Sequence, residues 1–220
     1  MRSIPLVLIA VLAACGGQPA APASTEPSAS ASAAPTTQGI LPGDVVRIHA
    51  ADGSSVTVRV REQLVRLPAP SEAVLVTKGV KGDLFMHPDG SFASGSQIVV
   101  DLTTLQSDSG LRDDFVKRMT LQTSRYPTAT FTAKTANGLP VPFPSSGEWK
   151  VKLVGDLQIR SVTKEVTWDG SVKRDGAALR GTATTAFKFE DFGMQPPSAA
   201  SVLSVVDEIK LQVDFVGTAG

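Results

Sequence analysis

The side chains best suited to chemistry in this chain are few and scattered. They are two histidines, His49 and His87, a single cysteine, Cys15, and the charged run Arg112-Asp113-Asp114. A metal centre or a nucleophile with its base needs histidine, cysteine and acid brought together. His49 lies near the start of the expected folded part, and His87 directly precedes Pro88 in an expected turn. Both read as surface histidines. Arg112-Asp113-Asp114 could form an acid–base group, but on an exposed helix face it reads as local charge pairing and capping. The chain has no P-loop, no dinucleotide glycine fingerprint and no serine elbow. No catalytic residue, metal or cofactor is therefore expected. Lysine plus arginine number 21 and aspartate plus glutamate 21, with no basic block, which argues against a nucleic-acid partner.

Cys15 has a chemistry of its own. Arg2 supplies a positive end, and Ile4 to Leu12 form an apolar run too short to span a bilayer. Leu12-Ala13-Ala14-Cys15 has the form of a bacterial lipoprotein processing box: a branched residue, two small ones, then the cysteine. The thiol would accept a diacylglycerol, and cleavage would leave Cys15 as the new N-terminus. As the only cysteine it has no partner for an internal disulfide. Two or more acyl chains hold a protein stably at a membrane. Gly17, not an aspartate, stands two places after Cys15, which favours the outer over the inner membrane. Residues 1–14 are thus read as a signal peptide. Residues 15–40, rich in Ala, Pro, Ser and Thr, are read as the lipidated cysteine and a disordered tether. Residues 41–220 are read as one domain.

The elements of that domain are read from alternation. Val56, Val58 and Val60 alternate with Thr57, Arg59 and Arg61. Trp149, Val151 and Leu153 alternate with Glu148, Lys150 and Lys152, and the parity runs on through Leu157 and Ile159. Further strands carry Val80, Leu84 and Met86; Val166, Trp168 and Val172; Leu179, Ala183, Phe187 and Phe189; and Ile209, Leu211, Val213 and Phe215. One dry and one wet face per strand is the pattern of antiparallel sheets. Asp169-Gly170 and Asp175-Gly176 are turn signals, the second more clearly between strands. Residues 97–134 break the rhythm. A strand places Ile98, Val100 and Leu102 on one face, and a Ser/Asp turn follows with a side chain fit to cap a helix. A short helix then sets Leu111, Phe115 and Met119 on one face. Arg125-Tyr126-Pro127 ends it, and a strand centred on Phe131 follows. The fold is all-β, either a sandwich or a closed barrel. Strands of ten or more residues favour a barrel of about eight strands, which can enclose one ligand-sized cavity.

The stretch 97–134 also resembles the YceI family of bacterial envelope proteins. Val100-Asp101-Leu102, Leu105, Ser107-Asp108, Arg112-Asp113, Arg125-Tyr126-Pro127 and Phe131 carry the likeness. Val154-Gly155-Asp156-Leu157-Gln158-Ile159 followed by Val162-Thr163-Lys164, then Asp191-Phe192-Gly193 and Val206-Asp207-Glu208-Ile209, extend it over roughly residues 54–216. The chain departs from the family at Ser161, where glycine is frequent, and in a Pro/Gly-rich insertion between Ala136 and Gly147. The resemblance implies a lipocalin-like barrel whose lumen holds an isoprenoid chain, of the quinone or polyprenyl type.

Combined, these readings make the protein a non-enzymatic, lipid-binding lipoprotein of the cell envelope, facing the periplasm as a carrier or buffer. Two alternatives stay open: an envelope stress or assembly factor with a filled core, and an enzyme acting on an envelope lipid. The side chains expected in the lumen are Val58, Val100, Leu102, Phe115, Met119, Phe131 and Trp149, with Leu153, Leu157, Trp168, Ala183, Phe187, Leu211 and Phe215. Their types are apolar and often large, as in ligand pockets. The oligomeric state is left open.

Overall fold

The computed structural model describes residues 45–220. The signal peptide and tether expected over 1–14 and 15–40 lie outside the described residues. Ten antiparallel strand segments form one sheet that closes on itself. β1 (Val46–Ala50) and β2 (Ser55–Leu64) run one after the other along the same side of β10 (Val202–Ala219), with Ile48 opposite Ala219 and Val58 opposite Leu211. On their other side, β3 (Ser71–Thr77) pairs with β2 and β4 (Val80–Met86) pairs with β1. Each of these couples is a single stave with a break in it. With β5 (Gln97–Asp101), β6 (Thr128–Asn137), β7 (Ser146–Ile159), β8 (Val162–Asp175), β9 (Ala178–Phe187) and β10, eight staves close the barrel.

The breaks are stitched by side chains. Between β1 and β2 the chain turns at Asp52-Gly53, and Gly53 takes a φ of 102°, open to glycine without steric cost. The Ser54 hydroxyl accepts from Val216 N at 3.0 Å, so it replaces a lost ladder bond. Between β3 and β4, Thr77 Oγ1 accepts from Gly79 N at 3.0 Å in the same way. Both serine and threonine are buried, where an unpaired backbone group would be costly.

Alternation explains which way the staves face. Inward positions of β2, β5, β6, β7, β9 and β10 carry mostly Val, Ile, Leu, Phe and Ala, with Glu62 of β2 an exception, and outward ones carry mostly Lys, Arg, Thr, Gln and Asp. Asp175-Gly176 turns the chain from β8 into β9, with Gly176 at φ 59°. Asp169-Gly170 is no turn: both residues lie inside β8. Gly170 is opposite Ala183, and a Cβ there would stand 2.9 Å from that of Ala183, so the glycine serves close strand approach. Phe189 also departs from the strand reading. It opens a 3₁₀ turn, Phe189–Phe192, and is buried there beside Phe192.

The helical excursion is shorter and less regular than its periodicity predicts. α1 (Gly110–Phe115) starts at Ser109, whose hydroxyl accepts from Arg112 N at 3.4 Å. Asp113 reaches back and accepts from Ser107 N at 2.8 Å. After Phe115 the backbone widens into a π-helical turn, Val116–Thr120, in which Leu121 N donates to Val116 O at 2.8 Å. The wider turn shifts the inward face from Met119 to Val116, Thr120 and Leu121. Met119 is therefore 64% exposed, and Leu111, on the first turn, 85%.

Candidate functional site

The barrel interior holds a cavity of about 760 Å³. That volume lies in the range of small-molecule sites, roughly 300–1,000 Å³. Its walls are built by the inward parity. Val58 comes from β2, Val100 from β5, Phe131 from β6, Leu153 and Leu157 from β7, Trp168 from β8, Ala183 and Phe187 from β9, and Leu211 and Phe215 from β10. Leu102 follows β5, and Phe115 comes from α1. Twelve of the fourteen side chains expected to face the lumen border the cavity.

Two do not. Met119 points outward for the reason given above. Trp149 lies where β7 runs past the end of β6: the last paired residues are Asn137 and Lys152, and below them β7 pairs with β8 alone. In that overhang the indole packs edge-on against Phe143, with ring centroids 5.4 Å apart, and beside Gly147. Phe143, together with Leu139 and Phe92 from the loops at this end, borders the cavity in its place. These loops carry no alternation, so parity gave no signal for them.

Inside, the aromatic rings meet edge to face. Phe131 and Trp168 have centroids 6.0 Å apart at 81°, and Phe187 and Phe192 lie 4.6 Å apart at 63°. The Phe131 ring has room because residue 155 is glycine: a Cβ there would come within 2.5 Å of its Cζ. The Trp168 indole N–H is buried without an acceptor.

The polar groups are distributed unevenly. Among the described residues, every charged side chain bordering the cavity sits at the α1 end: Glu62, Arg66, Arg112, Asp114 and Arg118. Exposed Arg66, Leu111, Arg118 and Ser201 border the cavity there, so it meets solvent at this end, the mouth. Arg112 is not on an exposed face. Its side chain is 19% exposed, and Nη2 donates to Glu62 Oε1 at 2.8 Å, while Nη1 bonds Asp108. Glu62 is 9% exposed. Burial pushes the Arg112 guanidinium down, but the Glu62 charge and the bonds to Asp108 and Glu62 outweigh burial and raise its pKa. The sequence held a signal for this pair. Glu62 continues the dry parity of Val56, Val58 and Val60, and a carboxylate on a dry face needs a cation. The two histidines stay apart from the cavity. His49 Nδ1 is 2.8 Å from Asp83 Oδ1 on the outer surface. Among the described residues no cluster of His, Cys, Asp and Glu is placed to hold a metal ion.

The arrangement provides an apolar chamber with an ion pair at the rim of its mouth. Among the described residues, no histidine borders the chamber.

Several known proteins are similar. UPF0312 proteins of Pseudomonas putida, from strains W619 and GB-1, are each 31% identical over 132 residues, covering 53% of this chain and 65% of theirs. The matched part is therefore just under two thirds of those relatives. A polyisoprenoid binding domain from Saccharophagus degradans implicated in plant cell wall breakdown superposes with a TM-score of 0.60 at 14% identity, covering 79% of this chain and 98% of that one. BcnA of Burkholderia cenocepacia gives 0.53 at 20% identity, over 74% and 95% of the two chains. The YCEI protein of Campylobacter jejuni gives 0.53 at 19%, over 71% and 90%. These three share the fold. The YceI-like domain model matches residues 49–217, which takes in every stave of the barrel, and the chain belongs to the YceI-like domain family.

Proposed function

We propose that this protein is a membrane-anchored, periplasmic lipid-binding protein that holds an isoprenoid or similar long apolar chain in the barrel lumen, as a carrier or buffer. The observation that carries the reading is the cavity of about 760 Å³ with apolar walls and charges only at its mouth. An apolar tail lies along Phe131, Trp168 and Phe215, and a polar head group stays at the Glu62–Arg112 rim. The Saccharophagus degradans neighbour, named for polyisoprenoid binding, supports the same class of ligand. A filled-core structural barrel fits this space poorly, and an enzyme would need a reactive cluster in the lumen.

Burial of each methylene contributes about 0.8 kcal/mol relative to water. The exchange relevant to a carrier is with a bilayer, which is equally apolar, so the net preference is small and the cargo is releasable. The test is mass spectrometry of protein purified without harsh detergent. A long-chain apolar lipid at about one per chain is expected. Protein that carries no such lipid when drawn from its own membranes, and takes none up from vesicles containing polyprenol, would refute the carrier reading.

The anchor rests on Cys15, the single thiol and the end of the Leu12-Ala13-Ala14-Cys15 box. Cys15→Ser is expected to leave the chain uncleaved and without N-terminal acylation, as read by intact-mass analysis of the membrane fraction. A Cys15→Ser protein that is still cleaved and acylated at its N-terminus would remove the lipoprotein assignment.

A further inference from the structure

Seven large apolar side chains are strongly exposed among the described residues, and six of them gather at the mouth. Leu111 and Met119 project from the helical segment, Val65 and Leu67 from the turn that follows β2, and Leu203 and Val206 from the start of β10. The three segments are neighbours. Val65 N donates to Ser201 O at 3.0 Å, Val202 pairs with Leu64, and Arg112 of α1 reaches Glu62 of β2. Leu111 is 85% exposed, Leu203 65% and Met119 64%. The remaining one, Val141, belongs to the loop at the opposite end.

We propose that this rim inserts into the headgroup–acyl boundary of a phospholipid bilayer and seats the mouth of the barrel on the membrane. The residues stand on three separate projecting tips around an opening, which suits a soft apolar medium. Their apolar surface continues into that of the lumen through Leu111 and Leu64, so a chain leaving the bilayer never crosses water. Charge matches a zwitterionic surface. Over residues 62–66 and 108–118 the chain carries four basic and four acidic side chains, so attraction to anionic lipid is not the driving force. Chain length permits the pose. β1 begins at the end away from the mouth, where Val46 pairs with Met86 and Arg47 N donates to Gly220 O. Residues 16–44, about 30, can reach at most roughly 100 Å. The longest strand, β10 with 18 residues, is about 60 Å long. A chain held at Cys15 can therefore still present its mouth to the same bilayer.

This goes beyond the carrier reading and is tested separately from it. A bimane label is placed in the full chain carrying Cys15→Ser, at Met119→Cys or, at the far end, at Val141→Cys. Each is mixed with phosphatidylcholine–phosphatidylethanolamine vesicles containing nitroxide-labelled lipid. The apolar run of residues 4–12 tethers both variants alike, so label position is the readout. Quenching at 119 is expected to exceed that at 141 by about threefold or more, independent of ionic strength. Adding Leu111→Asp and Leu203→Asp is expected to bring 119 down to the level of 141 without changing the melting temperature, since both side chains are exposed. Equal quenching at the two ends overturns the proposal. So does quenching at 119 that disappears at high salt, which would mean headgroup charge. Shielding of residue 119 that grows with protein concentration without vesicles assigns the rim to a second copy of this chain and also overturns it. The lipid content of the same preparations separates the two ideas: a loaded barrel with a wet rim refutes docking and leaves the carrier reading standing.

Discussion

Replacing Arg112 with leucine is expected to destabilise the barrel by about 2–3 kcal/mol. The change removes the partner of Glu62, a carboxylate 9% exposed at the rim of an apolar chamber. Breaking a fully buried pair costs about 3–5 kcal/mol because an uncompensated charge is left behind. Arg112 itself is 19% exposed, so water reaches the pair and the lower figure applies. Asp108, the other partner, is 84% exposed and rehydrates freely. For a domain of this size the loss lowers the melting temperature by roughly 5–10 °C. The double variant Glu62→Leu, Arg112→Leu carries no stranded charge and is expected to recover most of it, since replacing both members by apolar groups is often neutral. Thermal unfolding of wild type, the single variant and the double variant decides the matter. A single variant as stable as wild type, or a double variant no better than the single, would show that the pair is not what fastens α1 over the mouth.

Ala183→Trp is expected to abolish most of the lipid load while barely moving the melting temperature. Ala183 borders the cavity from β9, between Gly170 on one side and Val213 on the other. With Gly181 of the same strand, it is one of the small members of its wall. In a packed core the added ring would force strain of about 1–3 kcal/mol. In a chamber of about 760 Å³ it has space to occupy, and the space it takes is the space of the ligand. Lipid extracted per mole of protein is measured beside the melting curve. A fall in melting temperature of several degrees with an unchanged lipid load would mean that the site of binding lies elsewhere. Unchanged stability and unchanged load together would place the ring outside the lumen, against the position seen here.

Alternation in the sequence determined most of the walls. It is a local property: with a period of two, each strand states its dry face independently of its neighbours. That is why Val58, Phe131, Leu157, Trp168 and Leu211 could be placed facing inward from sequence. The Ser/Asp turn before α1 was legible for the same reason, since Ser109 caps its helix through contacts three residues away. What the sequence did not determine is whatever depends on where an element ends relative to its neighbour. Trp149 has the right parity but lies beyond the end of β6, and there its dry face meets Phe143 rather than the lumen. Met119 has the right spacing for an α-helix, but the π-helical turn rotates it outward. Asp169-Gly170 has the composition of a turn because glycine is common in turns, whereas close strand packing against Ala183 is the cause. Glu62 and Arg112 are 50 residues apart, and only closure of the barrel brings the end of β2 under α1. The openness of the interior is likewise a tertiary fact. A dry face reports that water is excluded, but whether side chains from the other staves fill the space depends on the curvature of the closed sheet.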